Sequence, residues 1–524
     1  MQVKNIKKRI SKIWGWAECC MLPLFIITGL LLINACNGGS GSSGDTPPAV
    51  INNGDPIQGD EEDETGDEGD SATPVYTWNP SAFTHVYDVG PGKQYAEPGD
   101  VPWENLEPST LVRIYYRTTP YQAKWVINVA ATALSPVVVL GIPEGDQRPI
   151  ISGDDAITRT ELDYWNEVRS IIKIGGSSIP DNPDVPSHIY IQGLDIRSAR
   201  PGYQFTDDAG NTQEYSTNAA AIHIEEGSDI TVHDCLIHDA ANGLFSGSAS
   251  SRVRISGNYV YGNGIEDSIY QHNSYTESLG IVFEYNHYGP LRAGCLGNNL
   301  KDRSSGTIIR YNWIEAGNRQ LDLVETDYDH IANDPAYDET FVYGNVLIEP
   351  DGAGNSQIMH YGGDGGDTDM YRRGTLYFYH NTVVSTRSGN TTLMRLSTLD
   401  VTALVFNNII YASAGGGYLA ITSGNGQTEL EDNWLPEDWQ LTHESDLDPG
   451  ATVADLGNIE GSTPGFLDFS AQDFHLSSGS LARGNAGSLP TDVANYPVEY
   501  QYVQHQQIEI RSLESLVDIG AFGY

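Results

Sequence analysis

The feature that most constrains the fold of this chain is an asparagine that recurs along its second half, always three positions after an apolar residue. Successive positions of the series, counted from Leu194, are 23 to 41 residues apart. Cys235 with Val232, and Leu194 with Ile191, extend the same register upstream. The seven asparagines are Asn258, Asn286, Asn312, Asn345, Asn381, Asn408 and Asn433, and their apolar partners are Ile255, Phe283, Ile309, Val342, Phe378, Val405 and Leu430. This pattern indicates a repeated coil with insertions of variable length.

The residues around each asparagine predict short strands. From about Ile150 onward, runs rich in Val, Ile, Tyr and Phe end at Gly, Asn or Ser, with no long helical periodicity. Asparagine suits a turn between two strands because it tolerates the left-handed conformation and can bond to the asparagine of the next coil. Parallel strand connections are right-handed. We therefore predict an all-β fold, a single-stranded right-handed parallel β-helix, with a β-propeller as the alternative.

The ends of such a solenoid need covers, because they expose unpaired strands. The segment from Glu104 to Val129 is the candidate N-terminal cap. At the other end, the segment from Val517 to Tyr524 (VDIGAFGY) resembles the closing segment of many secreted β-helix proteins. The predicted domain covers residues 75–524, with a cap over 75–136, coils over 137–485 and a closing segment over 486–524.

The first 35 residues read as a signal peptide. A basic stretch precedes an apolar run from Met21 to Ile33, which is shorter than the ~20 residues that span a bilayer. A transmembrane anchor is the alternative. The string Ile33-Asn34-Ala35-Cys36 resembles a lipobox, which implies lipidation at Cys36 and a location on the cell envelope, at the outer membrane of a Gram-negative bacterium.

Residues 36–74 hold many acidic and few apolar residues, which predicts a disordered tether, with a calcium-binding tract as the alternative. The formal net charge of -42 argues against a nucleic-acid partner, since nucleic acids are held mainly by Lys and Arg. Cys19 and Cys20 fall in the signal peptide. Cys235 and Cys295 lack the spacing of a disulfide framework or a metal site and are interpreted as structural. We expect a monomer.

Four long insertions follow consecutive repeats, and insertions on a regular scaffold often carry function. Between Pro290 and Arg319 there are five basic residues against two acidic ones, in a chain that is otherwise acidic. Such a local patch predicts an anionic ligand. The alternative is that these cations pair with Asp302, Asp322 and Glu325 to hold the loops.

An acidic polysaccharide that is cleaved by β-elimination fits this patch. The reaction needs a cation to neutralise the sugar carboxylate, a base for the C5 proton and an acid at the leaving oxygen. Lys301 is the candidate base, if burial among cations lowers its pKa. The neutralising cation would be Arg303 or Arg319. The candidate acids are His272, Tyr275 and Tyr311.

The same insertions supply candidates for substrate binding, namely Asn273, Arg292, Asn299, Asp322, His360 and Tyr361. The run Gly362 to Asp367 matches one copy of a calcium-binding turn, which makes Ca²⁺ the candidate cofactor and Asp364 and Asp367 its candidate ligands. A flexible polar loop is the alternative for that run.

The stretch LKDRSSGTIIRYNWIEAGNRQLDL resembles the lyase family that includes chondroitinase B and many alginate lyases. The resemblance implies a right-handed parallel β-helix with a Lys base at Lys301 and an Arg on the next coil. The spacing puts that Arg at Asp322, with Arg319 nearby, and Gly294 and Leu296 stand where the family has calcium-binding Glu. The strings HNSYTES, GPLRAG and NNLKDRS also resemble those of β-helix lipoproteins described only as polysaccharide-degrading.

Two other functions stay open. One is a glycoside hydrolase of the polygalacturonase type, which uses two carboxylates. Its usual strings NTD, GHG and RIK do not occur, and its candidate carboxylates are Asp322, Glu325, Asp327 and Asp329, with the pairs Asp154-Asp155 and Asp207-Asp208 on other coils. The other is a non-catalytic envelope protein that binds glycan.

Overall fold

A computed structural model describes residues 76–162, 164–176, 185–512 and 517–524. Almost all regular structure in these residues is β-strand, and the strands of successive coils pair in parallel. The prediction of an all-β parallel β-helix is confirmed. No helix in the described ranges is long and apolar enough to cross a membrane. The predicted signal peptide, the lipidation site Cys36 and the acidic tether lie outside these ranges.

The strands are numbered in chain order. The first thirteen are β1 His85–Val89, β2 Thr110–Tyr115, β3 Ala123–Ile127, β4 Val137–Ile142, β5 Ile150–Ser152, β6 Ala156–Thr158, β7 Ser170–Ile174, β8 Ser187–Gln192, β9 Asp195–Ala199, β10 Gln204–Thr206, β11 Thr212–Glu214, β12 Ala220–His233 and β13 Leu236–Ala240. The next thirteen are β14 Asn242–Ser256, β15 Tyr259–Tyr261, β16 Ser274–Thr276, β17 Ser278–Glu284, β18 His287–Tyr288, β19 Leu300–Asp302, β20 Ser305–Arg310, β21 Trp313–Glu315, β22 Leu321–Leu323, β23 Glu339–Tyr343, β24 Val346–Glu349, β25 Gln357–Tyr361 and β26 Gly374–Tyr379. The last thirteen are β27 Thr382–Ser385, β28 Thr391–Leu396, β29 Val401–Phe406, β30 Ile409–Ala412, β31 Leu419–Gly424, β32 Gln427–Glu431, β33 Trp434–Pro436, β34 Thr452–Asp455, β35 Ile459–Gly461, β36 Phe466–Asp468, β37 Asp473–Leu476, β38 Tyr500–Val503 and β39 Gln507–Ile510.

Helices are short. The α-helix α1 covers Asp329–Ala332. The 3₁₀ helices are Pro80–Ala82, Pro98–Asp100, Trp103–Asn105, Thr160–Leu162, Glu167–Arg169, Pro335–Asp338, Thr368–Met370, Gly416–Tyr418, Phe469–Ala471 and Thr491–Val493.

The pairing arranges the strands in three faces along the solenoid. Face 1 contains β7, β12, β14, β16, β19, β22, β25, β28 and β31. Face 2 contains β1, β2, β4, β8, β12, β14, β17, β20, β23, β26, β29, β32 and β34. Face 3 contains β5, β9, β13, β15, β18, β21, β24, β27, β30, β33 and β35. The long strands β12 and β14 each contribute to both face 1 and face 2.

The insertions that follow the asparagines contain strands of face 1. The segment between Asn258 and Asn286 holds β16, and the next four segments hold β19, β22, β25 and β28 in turn. These strands pair in register from coil to coil. The insertions are therefore aligned by sheet hydrogen bonds, which fix the relative positions of their side chains.

The recurring asparagines form a continuous ladder inside the turn between faces 2 and 3. In each step the backbone N–H and Nδ2 of one asparagine donate to Oδ1 of the next, as from Asn286 to Asn312 at 3.0 and 2.9 Å. Asn458 extends the ladder beyond Asn433, and Cys235 donates its N–H to Asn258 at 3.0 Å. The left-handed conformation falls on the residue before the ladder, such as Tyr285 with φ of 58°. A β-branched residue would be strained at that preceding position.

The core of face 1 consists of inward side chains at alternate positions of its strands. Leu300, Leu321, Met359 and Met394 pair in successive coils and are fully buried. Burying one such side chain stabilises the fold by about 1.5–3 kcal/mol. The residue that follows each of them points outward, because side chains alternate along a strand.

The ends of the domain differ from the prediction. Strands β1 and β2 already pair in parallel with each other and with β4, so the coils begin well before residue 137, and the predicted cap over 75–136 contains strands of the solenoid. The segment over 486–524 does not simply close the end. It packs along the outer side of the coils, where Gln506 Nε2 donates to Gly257 O at 3.0 Å. Its apolar residues, such as Val498 and Ile508, pack against aromatic side chains of the coils.

Candidate functional site

Face 1 carries an outward row of side chains that we call the polar row: Tyr275, Lys301, Asp322, His360 and Arg395. These residues are direct register partners on β16, β19, β22, β25 and β28. Parallel strands lie about 4.8 Å apart, so the five positions extend over about 19 Å. The row therefore presents polar chemistry along the axis of the solenoid, suited to an extended ligand.

The centre of the polar row is a buried ion pair. Lys301 Nζ donates to Asp322 Oδ2 at 2.7 Å, and the side chains are 9% and 1% exposed. Asn298 Nδ2 donates to the same oxygen at 2.6 Å. Burial would raise the pKa of Asp322, but Lys301 and His360 outweigh it and hold that pKa below its ordinary value. Asp322 is thus a carboxylate, and the ammonium of Lys301 lies against it instead of among cations.

His360 connects the ion pair to the next coil. Its Nδ1 lies 3.1 Å from Asp322 Oδ1, and its Nε2 lies 2.7 Å from Ser397 Oγ. A carboxylate can only accept a hydrogen bond, so Nδ1 carries the proton, and in the neutral ring Nε2 accepts from the serine hydroxyl. The ring is buried and Ser397 is half-buried.

Arg319, beside the row, and Arg395, at its end, each lack a carboxylate within hydrogen-bond distance in the described chain. Arg319 Nη2 donates to the neutral amide of Gln357 at 2.8 Å, and its nearest carboxylate oxygen, on Asp322, is 3.9 Å away. Arg395 is exposed and has no ion-pair partner among the described residues. Burial and the charge of Arg395 both lower the pKa of Arg319, although Asp322 opposes them. Two like charges side by side favour an anionic ligand.

At the other end of the row, Tyr275 lies between two cations. Its ring centroid is 6.0 Å from Lys301 Nζ and 5.7 Å from the guanidinium carbon of Arg303. Burial raises the pKa of Tyr275, and the two cations oppose that shift. Arg303 is 3.6 Å from the exposed carboxylate of Asp327 and also donates to the carbonyl of Glu325.

His272 contacts Tyr275 at this end of the row. It is fully buried and accepts the backbone N–H of Asn298 at Nδ1, at 2.9 Å, with its ring edge-on to Tyr275. Burial, helped by Lys301, lowers the pKa of His272 to about 3. The ring is therefore neutral at neutral pH and unsuited to the acid role predicted for it.

Several predicted site residues lie away from the polar row. Asn273 and Asn299 are fully buried in a second asparagine ladder, in which Asn273 Nδ2 donates to Asn299 Oδ1 at 2.8 Å. Tyr361 points into the core, because it is the residue after an outward position, and its hydroxyl bonds to Thr340 at 3.1 Å. These three cannot contact a ligand on face 1, so their assignment as substrate-binding residues is corrected.

Arg292 and Tyr311 are also placed elsewhere. Arg292 pairs with Asp239 on β13 of face 3 and donates to Gly264 O at 3.1 Å. Tyr311 is buried under the C-terminal segment, where its hydroxyl donates to Pro497 O at 3.2 Å. Arg292 is thus a loop-holding residue, and Tyr311 is a packing residue.

The loop over Gly362 to Asp367 is anchored by a carboxylate. Glu325 accepts the backbone N–H groups of Asp364, at 3.0 Å, and of Gly365. Asp364 is exposed and lies 3.7 Å from Lys301 Nζ, and Asp367 is exposed. In the described part of the chain, no group of three or more His, Cys, Asp or Glu side chains could hold a metal ion. A calcium site at this loop stays a prediction.

Arg395, Ser397 and Gln357 are site residues that were not predicted from the sequence. A signal for Arg395 exists in β28, whose sequence TTLMRL places one arginine between two buried apolar residues. Such a position points outward on a half-buried strand. Ser397 carries no comparable signal, since only the stacking of two coils brings it to His360.

No protein-family model and no curated protein matches this chain. Similar solved structures include an alginate lyase from Paenibacillus sp. str. FPU-7, which is 10% identical and aligns over 63% of this chain and 93% of that chain with a TM-score of 0.41. Pectate lyase Pel9A is 11% identical over 84% and 96%, with a TM-score of 0.43. A family 28 exopolygalacturonase from Yersinia enterocolitica is 10% identical over 72% and 79%, with a TM-score of 0.36. The fold assignment rests on the strand pairing within the chain itself.

Proposed function

We propose that the protein binds an acidic, uronate-containing polysaccharide along face 1 and cleaves it by β-elimination. The observation that carries this proposal is the pair Arg319 and Arg395, two neighbouring guanidinium groups that have no carboxylate within hydrogen-bond distance in the described chain. Guanidinium groups recognise carboxylates with two parallel hydrogen bonds. Because the polar row extends over about 19 Å, it can hold several sugar units at once.

The cleavage site lies at the other end of the row. Arg303 is the group that neutralises the carboxylate of the reacting sugar, because it lies beside Tyr275 and already contacts an exposed carboxylate, that of Asp327. Neutralising that carboxylate acidifies the C5 proton and stabilises the enolate that forms when the proton leaves. The leaving oxygen at C4 then needs a proton from a nearby acid.

We assign the base to Tyr275 and the acid to Lys301, which exchanges the two roles expected from the sequence. Lys301 Nζ donates to the carboxylate of Asp322 at 2.7 Å, so a proton donor lies on the coil next to Tyr275. Tyr275 has two cations close to its ring, and both favour the phenolate that a base requires. The two side chains are register neighbours, so they can reach adjacent atoms of one sugar.

This assignment predicts an alkaline rate profile. Burial leaves the pKa of Tyr275 above its ordinary value of 10.0 despite the two cations. The phenolate is the active form, and its population increases with pH until the pH passes that pKa. The rate should therefore rise with pH across the neutral and alkaline range. A profile that falls from neutral to alkaline pH would contradict Tyr275 as the base.

A substrate screen tests the function itself. The protein lacking its first 75 residues is mixed with alginate, pectate and chondroitin, and products are followed by ultraviolet absorbance and by a reducing-end assay. A lyase gives unsaturated ends that absorb in the ultraviolet. Reducing ends without that absorbance would instead support the hydrolase. Binding without either product would support a non-catalytic glycan-binding protein of the envelope.

The geometry gives little support to a hydrolase function. Asp322 is held by an ion pair with Lys301 and a hydrogen bond from His360, and Glu325 is bonded to two backbone amides. Two carboxylates that flank a glycosidic bond must be free to protonate the leaving group and to activate water. Asp327 and Asp329 are exposed but lie on the loop around α1, outside the polar row.

A further inference from the structure

Three residues from successive coils of face 1 form a continuous hydrogen-bond relay. Asp322 lies on β22, His360 on β25, and Ser397 directly follows β28. The hydroxyl of Ser397 donates to His360 Nε2 at 2.7 Å, and the N–H at His360 Nδ1 donates to Asp322 Oδ1 at 3.1 Å. A nucleophile bonded to an imidazole, which is in turn oriented by a carboxylate, is the arrangement that activates a serine.

We propose that Ser397, His360 and Asp322 form the nucleophilic centre of an esterase that removes acyl groups from hydroxyls of the same acidic polysaccharide. The identity of the polymer rests on the proposed function, whereas the esterase chemistry rests on the relay. This activity is separate from β-elimination, because it uses the opposite half of the polar row from Tyr275 and Lys301.

The electrostatics of the relay fit this role. Asp322 is a buried carboxylate that can hold the imidazole in one tautomer, with the proton on Nδ1 and the lone pair of Nε2 toward the serine. Lys301 and Asn298 bond to the second oxygen of Asp322, so the first oxygen stays directed at the ring. Asp322 thus acts through His360 and is a positioning residue.

Access to the serine also fits. Ser397 is half-buried while His360 beneath it is buried, so a ligand on face 1 meets the hydroxyl before the ring. Gly362 allows the adjacent coil to approach Ser397 closely, because a Cβ at this position would lie 2.7 Å from Ser397 Cβ. Glycine often marks a position where another backbone approaches closely.

The substrate class follows from the neighbouring cations. Arg395 is the register partner of His360, and Arg319 lies near Asp322. These arginines require a free carboxylate on the polymer, so the ester must lie on a sugar hydroxyl and not on the uronate itself. An O-acetyl group on a uronate-containing chain is the simplest ligand of this kind.

The reaction balances with water as the only co-substrate. Ser397 Oγ attacks the ester carbonyl carbon while its proton moves to His360 Nε2. The tetrahedral intermediate collapses, the bond from the acyl carbon to the sugar oxygen breaks, and that oxygen takes the proton from His360. Water then attacks the acyl-serine with His360 as base, which releases the carboxylic acid and restores the serine.

The test uses a fluorophosphonate probe and two esters. The described chain, residues 76–524, is incubated with the probe and digested, and the labelled peptide is identified by mass spectrometry. Acetate release is measured on 4-nitrophenyl acetate and on O-acetylated alginate. We expect the label on Ser397 and a loss of acetate release of about 10³-fold or more in Ser397→Ala and His360→Gln. Label on another residue, or none, would overturn the proposal.

The matched control is Ser388→Ala. Ser388 is exposed, and its hydroxyl bonds to the carboxylate of Asp351 at 2.9 Å without any imidazole. This variant should release acetate at the wild-type rate. Equal acetate release from Ser397→Ala and Ser388→Ala would also reject the nucleophile. Circular dichroism and thermal unfolding confirm that each variant is folded.

The role of Asp322 is tested by Asp322→Asn. If the carboxylate orients and supports the ring, acetate release falls about 10⁴-fold and its acidic limb moves to lower pH, because the imidazolium loses its anionic partner. A structural role alone would leave the position of that limb unchanged.

The two activities are separated by their products. Tyr275→Phe should abolish unsaturated ends and retain acetate release, and Ser397→Ala should do the opposite. Acetate release without unsaturated ends would refute β-elimination and retain the esterase. Unsaturated ends without acetate release from any ester would refute the esterase alone.

Discussion

Faces 1 and 2 carry outward rows of opposite character on the same coils. On face 2 an aromatic row, consisting of Phe341, Tyr343, Tyr377, Tyr379 and Phe406, is covered by the C-terminal segment. Its rings stack from coil to coil, as Tyr343 and Tyr379 do at 4.9 Å. On face 1 the polar row has charged and titratable groups at the same spacing, and Arg395 remains exposed.

The coil determines the spacing of both rows, whereas the chemistry of the side chains determines whether a row is covered by the chain or can bind a ligand. Stacked aromatic rings expose a continuous apolar surface, which gains free energy when the chain covers it. A row of charged groups loses solvation when it is covered and gains most from a ligand of opposite charge.

The largest effect is expected in the polar row from Tyr275→Phe. Loss of the base should lower the rate of unsaturated product formation by about 10²–10⁴-fold, with the melting temperature unchanged. Tyr418→Phe, at an exposed tyrosine outside the row, is the control. If Tyr275→Phe retains more than a tenth of the rate, Tyr275 is not the base.

Substitutions in the aromatic row should lower the free energy of unfolding and leave the activity unchanged. Phe341 is buried and stacks on Tyr377 at 4.9 Å and on Tyr496 of the C-terminal segment at 3.9 Å. Phe341→Ala should lower the free energy of unfolding in urea by about 3–5 kcal/mol, with little effect on the rate per folded molecule.

Phe245→Ala gives the matched comparison on face 1. Phe245 is half-buried and is the register partner of Tyr275. Its removal should cost about 1 kcal/mol. Equal losses in Phe245→Ala and Phe341→Ala would mean that the covering segment does not distinguish the two faces.

A smaller loss is expected from the asparagine ladder, which holds the coils of both rows together. Asn345 Oδ1 accepts two hydrogen bonds from Asn312, and its Nδ2 donates to Ile309 O at 2.8 Å. Asn345→Ala leaves buried polar groups unpaired and should cost about 2–3 kcal/mol in urea unfolding. Asn458→Ala, at the half-exposed end of the ladder, should cost less than about 1 kcal/mol, because water can replace the lost bonds. Equal losses would show that the ladder does not stabilise through burial.

The smallest effect is expected from Arg395→Gln. Losing one charged carboxylate contact should raise KM for the polysaccharide about tenfold with kcat unchanged, and should weaken the salt dependence of KM. Arg373→Gln, at an exposed arginine that pairs with Asp338, should leave KM unchanged. A fall in kcat with unchanged KM would show that Arg395 acts in the chemical step and not in binding.

Much of the fold was predictable because it follows from local periodicity. The asparagine series predicted the ladder residue by residue, and Cys235 holds the upstream position, buried, with the pKa of its thiol raised to about 12 by burial. The C-terminal segment was not predictable in the same way. Val498 and Ile508 contact coils that lie far from them in sequence, and no periodicity encodes such contacts.

The candidate site was predictable in part. Lys301, Arg303 and Arg319 were predicted from the local excess of basic residues in an acidic chain. The directions in which their side chains point could not be predicted. Tyr361 is adjacent in sequence to His360, yet one points into the core and the other onto the polar row. A shift of one residue reverses the face of a side chain, so direction depends on the strand boundary.

The spacing of residues along the chain was enough to predict a parallel β-helix and a local excess of basic residues between Pro290 and Arg319. Only the tertiary structure decided which of those residues meet. Asp322, His360 and Ser397 are 38 and 37 residues apart and touch because three coils stack in register. The relay therefore depends on the register of strand pairing, which the sheet hydrogen bonds fix between coils.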